Sequence, residues 1–334
     1  SNLDGSIPLF TIGRSHWRAV RRLADILRKE KPDIALSAIG GSNTKLMLAK
    51  WLARSPIRTV ITYHGFCEWR SGLLSFVTYL ALPVLSAFAD CTLAVSDGLR
   101  EQLVKRWGAR PEKTITILNP VFFPAAAPVP SEAELCGRPD VLLAVGRLVP
   151  EKDFPTLLRA FARLERPSAR LIILGKGPEE ARLKALCKDL GITSRVTLAG
   201  YSKEPWRFYS QAKCFVLSSL SEPFGNVVVE AMAYGLPIVA TASAGPQEIL
   251  RHGKFGRIVA AGSDLQLAHA IADTLEYPGD PAQRRRRADD FSFAVRVPAY
   301  EELVRSVLGK ANAVHASPVS PPGTPTTTTT RPAA

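Results

Sequence analysis

The chain has 334 residues, of which 46% are hydrophobic; this is enough for two ordinary domains with sizeable cores and argues against general disorder. Its 43 Lys and Arg against 30 Asp and Glu give a net charge of +13, which fits either an anionic partner or a solvated basic surface. The five cysteines are scattered and form no CxxC pair, which favours reduced thiols over a disulfide framework or a zinc site.

Helix and strand patterns alternate through the first half of the chain. Gly40 and Gly41 are predicted to turn the chain into one of the helices, and Ser96 is predicted to cap another. The predicted strands are residues 33–39, 59–63, 91–95 and 114–118, and the predicted helices are residues 17–29, 45–54 and 97–107.

Residues 72–89 (GLLSFVTYLALPVLSAFA) carry no charge over a length close to that of a membrane span. Pro83 and the interspersed Ser and Thr residues favour a buried helix pair that is broken at Pro83. Shallow contact with a membrane surface is the alternative that the sequence leaves open.

A Pro- and Ala-rich linker, residues 124–130 (PAAAPVP), leads to a second alternating series. Alternation of this kind predicts parallel sheets covered on both faces, so the expected fold class is α/β with two Rossmann-like, doubly wound domains facing a cleft. Ligands of such sheets bind outside the carboxyl ends of the strands. The second series has predicted strands at residues 141–145, 170–174, 195–198, 214–217 and 237–240, then a last helix at 300–308.

One helix start in the second half has the features of an anion site. Asn226 is predicted to open a helix that stops at Gly235, a favourable residue just beyond a helix C-terminus. The backbone N–H groups of Gly225, Asn226 and Val227 would then project from the helix N-terminus, which suits a diphosphate.

The same segment, SEPFGNVVVEAMAYG, carries two carboxylates eight positions apart. Glu230 lies just over one turn into an otherwise apolar helix, where a lone charge needs a partner such as two vicinal ribose hydroxyls. Glu222, on the preceding loop, can accept hydrogen bonds from sugar hydroxyls. The alternative is a surface helix with one solubilising Glu.

A second candidate anion site, GRLVPEKD at residues 146–153, directly follows a predicted strand. Gly146 permits a tight turn, and Arg147 and Lys152 can converge on one anion. A departing diphosphate needs such charge because the sequence shows no metal cluster, so no metal and no cofactor are expected. The alternative is a helix start whose Glu151 and Lys152 are exposed charges.

Other features are ambiguous or negative. His64 ends a predicted strand at the presumed cleft, where it could bond a sugar or a leaving phosphate, or serve structure alone. GKG at residues 175–177 lacks the later glycine of a dinucleotide fingerprint, and residues 40–45 lack the spacing of a P-loop. Four arginines at residues 284–287 are expected to form a solvated face, with contact to acidic lipid or phosphate as the alternative.

Taken in order, GRLVPEKDF, LIILGKGPE, RVTLAGY and SEPFGNVVVEAMAYGLPIVAT resemble the C-terminal half of the retaining GT-B glycosyltransferases of family GT4. VSDGLREQLVKRWG and ILNPV resemble the end of that family's first domain. The resemblance implies a GT-B fold and metal-independent sugar transfer with retention of configuration. It also implies front-face attack, in which the donor phosphate takes the acceptor's proton.

The resemblance assigns roles to individual residues. Arg147 and Lys152, after Gly146, match the pair that binds the donor diphosphate. Glu222 matches the carboxylate that holds the donor sugar, Glu230 the carboxylate that binds ribose, and His64 the first-domain histidine beside the donor sugar. The family also has a loop and a helix N-terminus that lie at the donor sugar and phosphate. These correspond to Phe224, Gly225, Asn226 and Val227. Residues 242–250 (ASAGPQEIL) resemble members that use UDP-linked sugars, including N-acetylhexosamines.

Four regions are therefore predicted along the chain. The family opens with a strand and a Gly-rich loop, whereas residues 1–10 lead directly into what resembles its third strand and helix, so a truncated first domain is expected. The regions are an acceptor-side domain (1–128), a donor domain (129–292), a closing helix (293–310) and a disordered Pro- and Thr-rich tail (311–334).

The predicted function is a cytoplasmic glycosyltransferase, peripheral at the inner membrane face. It would transfer a hexose or N-acetylhexosamine from a nucleotide-sugar donor, with UDP as the expected nucleotide, to a glycan or lipid-linked acceptor in surface polysaccharide, lipopolysaccharide or glycolipid biosynthesis. The basic charge would also suit an anionic membrane surface. The alternatives are an epimerase or glycogen-type synthase of the same fold, and an inactive nucleotide-sugar-binding fragment. No nucleic-acid partner is expected, because the basic residues are spread widely without interleaved aromatics.

Overall fold

The computed structural model describes residues 8–13, 15–65, 73–123 and 129–309. These residues form two parallel sheets, one of four strands and one of six, with helices packed against them. The α/β fold class with two Rossmann-like parallel-sheet domains is thus confirmed.

The strands of the first sheet lie side by side in chain order. Ser96 caps one of the helices as predicted, since its hydroxyl accepts a hydrogen bond from the Leu99 N–H at 3.2 Å. The strands are β1 (Ile34–Ala38), β2 (Arg58–Tyr63), β3 (Cys91–Ala94) and β4 (Thr114–Thr116), and the helices are α1 (His16–Glu30), α2 (Gly40–Ala53), α3 (Leu73–Leu80), α4 (Leu82–Phe88) and α5 (Asp97–Lys105).

Two details of this half differ from the sequence prediction. Helix α2 begins at Gly40 rather than after the glycine pair, because Ile39, with φ of +75°, makes the turn. The predicted helix pair forms, but it breaks at Ala81, and Pro83 sits in the first turn of α4, where its missing N–H costs nothing. The pair is also not fully buried, since Leu80 is 58% exposed.

The strands of the second sheet are β5 (Val141–Val145), β6 (Arg170–Leu174), β7 (Val196–Gly200), β8 (Cys214–Leu217), β9 (Ile238–Thr241) and β10 (Arg257–Val259). Their order in the sheet is β10-β9-β8-β5-β6-β7, so the chain direction across the sheet reverses between β5 and β8. Strands β8 and β9 are buried along their length and β5 over its three central residues, which explains their unbroken apolar runs. The helices are α6 (Glu132–Gly137), α7 (Phe154–Ala162), α8 (Glu180–Asp189), α9 (Trp206–Gln211), α10 (Asn226–Ala233), α11 (Ala244–Ile249), α12 (Asp264–Glu276), α13 (Pro281–Asp289) and α14 (Phe293–Leu308).

Helices cover both faces of the first sheet. Its strand-to-strand connections all step in one direction, so right-handed crossovers place α2, α3, α4 and α5 on the same face. The last helix, α14, packs on the opposite face, where Leu303 joins a cluster with Val60, Leu93 and Ile117. The last helix, predicted at residues 300–308, exists but begins earlier, at Phe293, where the predicted closing region starts, and it continues through Pro298.

Two of the four arginines at residues 284–287 do not lie on the predicted solvated face, whereas Arg286 is exposed. Arg284 and Arg287, on α13, are only 6% and 8% exposed. Arg284 donates to the carbonyl of Gly235, just past α10, and Arg287 donates to that of Ile249 at the end of α11. Helix C-termini leave carbonyl acceptors unpaired, and these supply the partners that make burial of the two arginines possible.

The described cysteines are free thiols, as predicted: Cys136 is exposed, and Cys91, Cys187 and Cys214 are buried. Burial raises the pKa of Cys91 and of Cys214 to about 12. Within the described ranges, no helix is both long and apolar enough to cross a membrane. Cys67, the predicted tail and most of the predicted linker lie outside the described residues.

Candidate active site

The two candidate anion sites meet where the second sheet reverses direction. The loop that starts at Gly146 follows β5, and the loop that holds Glu222 follows β8, the neighbouring strand. The Lys152 ammonium forms an ion pair with the Glu222 carboxylate. The Leu220 N–H also donates to the Glu151 carbonyl at 2.9 Å. The loops are therefore held together at the edge where ligands of such sheets bind.

Helix α10 starts at this edge through Gly225. Its backbone has φ of +98°, a left-handed conformation that favours glycine. A Cβ atom on Gly225 would also lie 3.2 Å from the Glu222 Cγ, so the glycine lets Glu222 approach the helix start. Among the described residues, no hydrogen bond engages the N–H groups of Gly225, Asn226 or Val227, which leaves these donors for an anion.

A cavity of about 530 Å³ opens beside these loops. Four of the predicted site residues line it: Gly146, Arg147, Val227 and Glu230. The cavity is also lined by residues of neighbouring loops and of the connection between the two sheets, namely Phe122, Phe123, Leu174, Gly175, Lys176, Tyr201, Ser202, Lys203, Pro205, Trp206, Tyr209 and Tyr234.

Glu230 is the acidic residue among those lining the cavity, and it is partly buried. The Tyr209 hydroxyl donates to its Oε2 atom at 2.7 Å. Burial raises the pKa of Glu230, and the hydrogen bond from Tyr209 opposes that rise. Burial and the nearby Glu230 charge hold the pKa of Tyr209 well above its ordinary value, so Tyr209 stays a donor at neutral pH.

Three basic side chains, Arg147, Lys176 and Lys203, line the same cavity. A site that combines one carboxylate with several cations can bind a ligand carrying both a diol and a negatively charged diphosphate. The aromatic rings of Tyr201 and Trp206 add flat apolar surface on which a planar group can stack.

The other predicted site residues lie outside the cavity lining. Lys152 and Glu222 pair with each other next to it. The Phe224 ring is buried against Phe291, at a centroid separation of 5.7 Å, so any contact of Phe224 with a donor would come from its backbone. Asn226 is exposed and accepts a hydrogen bond from the Asn119 amide at 3.3 Å.

His64 is exposed at the carboxyl end of β2 and is also absent from the cavity lining. Its Nε2 atom lies 3.1 Å from the Thr62 hydroxyl, which donates its own hydrogen to the Ser37 carbonyl. The Thr62 oxygen must therefore accept from His64, which assigns the proton to Nε2.

The sequence interpretation missed the wall of the cavity formed after β6 and β7. Gly175 belongs to that wall: a Cβ atom there would lie 1.8 Å from the Gly146 carbonyl oxygen, so the close approach of the two loops requires glycine. Lys176 follows β6, and Tyr201 follows β7. Applying the carboxyl-edge rule to every predicted strand, rather than to β5 and β8 alone, would have found them.

Among the described residues, no group of three or more His, Cys, Asp or Glu side chains is placed to hold a metal ion. The expectation that no metal or cofactor is needed stays a prediction.

Two protein-family models match this sequence. The model described as glycosyl transferases group 1 matches residues 131–291, and the one described as glycosyltransferase family 4 matches residues 5–122. Together they cover most of the chain. The chain belongs to the family 4 glycosyltransferases.

Similar proteins include several curated glycosyltransferases. The lipopolysaccharide core biosynthesis glycosyltransferase LpsE of Rhizobium meliloti is 37% identical over 174 residues, which are 50% of this chain and 50% of LpsE. The lipopolysaccharide 1,6-galactosyltransferase of Salmonella typhimurium is 31% identical over 183 residues, 53% of this chain and 50% of that enzyme. The chain thus spans about half the length of these curated relatives.

The fold of this family member is GT-B, as its structural neighbours show. The crystal structure of Anabaena HepE in complex with UDP and glucose matches with a TM-score of 0.76 at 22% identity, over 86% of this chain and 81% of HepE. The apo structure of the lipopolysaccharide outer core galactosyltransferase WaaB matches with a TM-score of 0.70 at 21% identity, over 87% of this chain and 80% of WaaB.

Proposed function

We propose that this protein is a retaining, metal-independent glycosyltransferase that takes a hexose or N-acetylhexosamine from a nucleotide sugar, with UDP as the nucleotide. Its acceptor is a glycan or a lipid-linked glycan in lipopolysaccharide, surface polysaccharide or glycolipid biosynthesis. The observation that carries the proposal is the cavity at the β5–β8 reversal, which combines Glu230 with Arg147 and Lys176. The lipopolysaccharide enzymes among the curated relatives and the UDP bound by HepE support the acceptor class and the nucleotide.

In the proposed reaction, Glu230 accepts hydrogen bonds from the ribose hydroxyls, and the diphosphate lies against Arg147 and the N-terminus of α10. When the bond between the anomeric carbon and the diphosphate oxygen breaks, negative charge develops on the diphosphate. Arg147 and Lys152 stabilise that charge, and Glu222 holds the sugar hydroxyls. The acceptor hydroxyl attacks from the same face and gives its proton to the departing phosphate oxygen, so configuration is retained.

A ligand screen tests the donor assignment. We expect UDP and its sugar conjugates, in the presence of EDTA, to raise the thermal midpoint, because ligands that bind only the folded state stabilise it. GDP, ADP and their conjugates should have little effect. Glu230→Ala should weaken UDP binding at least tenfold, because a hydrogen bond to a charged group contributes roughly 1.5–3 kcal/mol.

Some outcomes of this screen would contradict the proposed donor site or the proposed transfer. No shift with any nucleotide, or wild-type UDP affinity in Glu230→Ala, would contradict the donor site. Binding of a UDP-sugar without transfer to any lipid-linked or glycan acceptor would favour the alternative, an inactive nucleotide-sugar-binding fragment.

We also propose that the enzyme meets its acceptor as a peripheral protein on the cytoplasmic, anionic face of a membrane. Among the described residues, helices α2, α3 and α4 expose eight large apolar side chains. We term five of them the α2–α4 face: Leu48, Trp51, Leu80, Val84 and Phe88. The ring centroids of Trp51 and Phe88 lie 5.7 Å apart, so the parts from α2 and α4 are continuous. An exposed apolar surface of this kind marks an interaction site.

Basic residues border the α2–α4 face. Arg54 is exposed directly after α2, close to Trp51. Arg110 is also exposed, and its backbone N–H donates to the Ser86 hydroxyl of α4 at 3.0 Å. An apolar surface with arginines at its border suits a bilayer with anionic headgroups, because the arginines gain attraction while the apolar residues leave water.

A further inference from the structure

Tyr209 lies on α9, between β7 and β8, yet it reaches the carboxylate of Glu230 on α10. It is 1% exposed, and its hydroxyl donates to Glu230 Oε2 at 2.7 Å. No hydrogen bond to the other oxygen, Oε1, is present among the described residues. A ligand in the cavity can therefore bond Oε1 while Tyr209 holds Oε2.

The ring of Tyr209 is fixed from two sides. It stacks on Tyr234 with a centroid separation of 5.6 Å and an interplanar angle of 21°. It also packs against Phe215 of β8 at 6.0 Å. A hydroxyl on a ring held this firmly defines the position of the carboxylate that it bonds, because neither group can turn away without breaking the packing.

Several elements next to Glu230 carry charged side chains. Arg147, Lys176 and Lys203 line the same cavity, and Arg285 of α13 lies near Tyr234. No charged side chain makes a hydrogen bond or ion pair with Glu230 among the described residues. Tyr209 is therefore the group that opposes the effect of burial on this carboxylate.

We propose that Tyr209 is a positioning residue for nucleotide binding: its hydroxyl holds the Glu230 carboxylate in the orientation and charge state that recognition of the ribose requires. This inference rests on the proposed function, because it assigns Glu230 to the ribose. A vicinal diol donates its hydrogen bonds most strongly to an ionised carboxylate, and the hydrogen bond from Tyr209 favours that ionised form.

The test compares Tyr209→Phe with the wild-type chain in titrations with UDP-glucose from pH 5 to pH 8. UDP-glucose is chosen because its diphosphate is esterified at both ends and lacks the terminal phosphate ionisation near pH 6. We expect the variant to bind roughly tenfold more weakly at pH 7. Its affinity should also begin to fall at a higher pH than in the wild-type chain, because the pKa of Glu230 rises without the donor.

Two further variants separate positioning from a packing effect. Tyr277→Phe, at a residue 69% exposed, is the matched control and should bind like the wild-type chain. In a Glu230→Gln background, the pH dependence should disappear, and adding Tyr209→Phe should change the affinity by less than about twofold. Thermal midpoints measured alongside show whether each variant is folded at the titration temperature.

The inference is overturned if Tyr209→Phe keeps the wild-type affinity and pH profile. It is equally overturned if Tyr209→Phe weakens binding by the same factor with and without Glu230→Gln, since that result indicates packing alone. These outcomes differ from failure of the proposed function, in which the wild-type chain binds no UDP-glucose or Glu230→Gln binds it as tightly as the wild-type chain does.

Discussion

At the residue scale, the ion pair between Lys152 and Glu222 couples the two loops of the candidate site. Their side chains are 18% and 12% exposed, and the Ser219 hydroxyl lies 3.4 Å from the same Glu222 oxygen that Lys152 contacts. Each charge has lost much of its water and is compensated mainly by the other. In the proposed reaction both groups turn to the donor, Lys152 to the diphosphate and Glu222 to the sugar, so the ligand takes over part of this compensation.

Replacing Glu222 by Gln should separate sugar transfer from nucleotide binding. The free energy of unfolding should fall by about 1–3 kcal/mol, because Lys152 loses its partner in a largely shielded position. Affinity for UDP should change by less than about threefold, whereas turnover should fall roughly a hundredfold or more, because the lost contact is to the sugar. Denaturant unfolding, calorimetric titration with UDP and a transfer assay measure the three quantities.

Lys152→Met and the double variant serve as controls for this prediction. If the pair is coupled, the double variant should lose at least about 1 kcal/mol less stability than the sum of the single variants. Strictly additive losses would show that the ion pair contributes no coupling. Wild-type turnover in Glu222→Gln would remove Glu222 from the proposed reaction.

Sequence patterns identified Glu222 and Glu230 but not Tyr209. The carboxylates stand on a loop and in the first turns of a helix whose start and stop residues are visible locally, so the sequence places both near a helix N-terminus. The family resemblance then assigned their roles. Tyr209 precedes Glu230 by 21 residues, on a separate helix, and meets it only through the packing of Tyr209 between Tyr234 and Phe215. Contacts of that kind depend on tertiary packing, which periodicity and motifs do not record.

At the element scale, some apolar residues are exposed and some charged residues are buried, contrary to what their residue types predicted. Leu80 and Phe88 of the uncharged helix pair face outward, although their apolar character predicted burial. Arg284 and Arg287 are buried, although their charge predicted exposure, because helix ends supply carbonyl acceptors that composition cannot show. Helix existence was predictable from the sequence here, whereas the direction that each face takes was set by its neighbours.

The α2–α4 face should bind anionic membranes. We expect the protein to co-sediment with vesicles that contain anionic phospholipid and much less with neutral ones. Leu80→Glu should reduce binding to anionic vesicles roughly tenfold, because it places a charge of the wrong sign in the apolar surface. Leu80 is 58% exposed, so the substitution should leave the thermal midpoint nearly unchanged.

Leu265→Glu provides a matched control for the vesicle experiment. Leu265 is 51% exposed on α12, in the other half of the molecule, so the same change should leave vesicle binding intact. Equal losses in both variants, or no binding by the wild-type chain, would contradict the membrane proposal. If Leu80→Glu instead dissolves a dimer, the face contacts protein rather than lipid.

At the scale of the whole molecule, the carboxyl edge of the first sheet contacts the second half at several points. Asn119 bonds Asn226 at the start of α10, and the Val121 N–H donates to the Phe291 carbonyl at 2.8 Å. The Glu248 carboxylate of α11 accepts a hydrogen bond from the N–H of Asp97, the first residue of α5, at 3.1 Å. The alternation of strands and helices predicted two domains facing a cleft, but the side chains that join them come from positions with no local pattern.

The junction at Glu248 should make stability depend on pH. Burial, and then the charge of Asp97, raise the pKa of Glu248 to about 7, while the hydrogen bond from Asp97 and the charges of Arg287 and Arg296 oppose the rise. The folded chain therefore binds a proton that the unfolded chain releases near pH 4.5, the ordinary value. This contribution to stability is complete below the ordinary pKa and is lost as pH rises towards about 7.

Glu248→Gln should remove that dependence, because the amide oxygen can still accept from the Asp97 N–H without carrying a charge. We expect the variant to match the wild-type free energy of unfolding at pH 5 and to exceed it by about 1–3 kcal/mol at pH 8, a range kept modest because Glu248 is only partly buried. Denaturant unfolding at the two pH values measures this, with Glu165→Gln at an exposed position as the matched control. Equal differences from the wild-type chain at both pH values would show that the carboxylate of Glu248 is not what titrates at the junction, since only a group that gains a charge between pH 5 and pH 8 can make the difference grow.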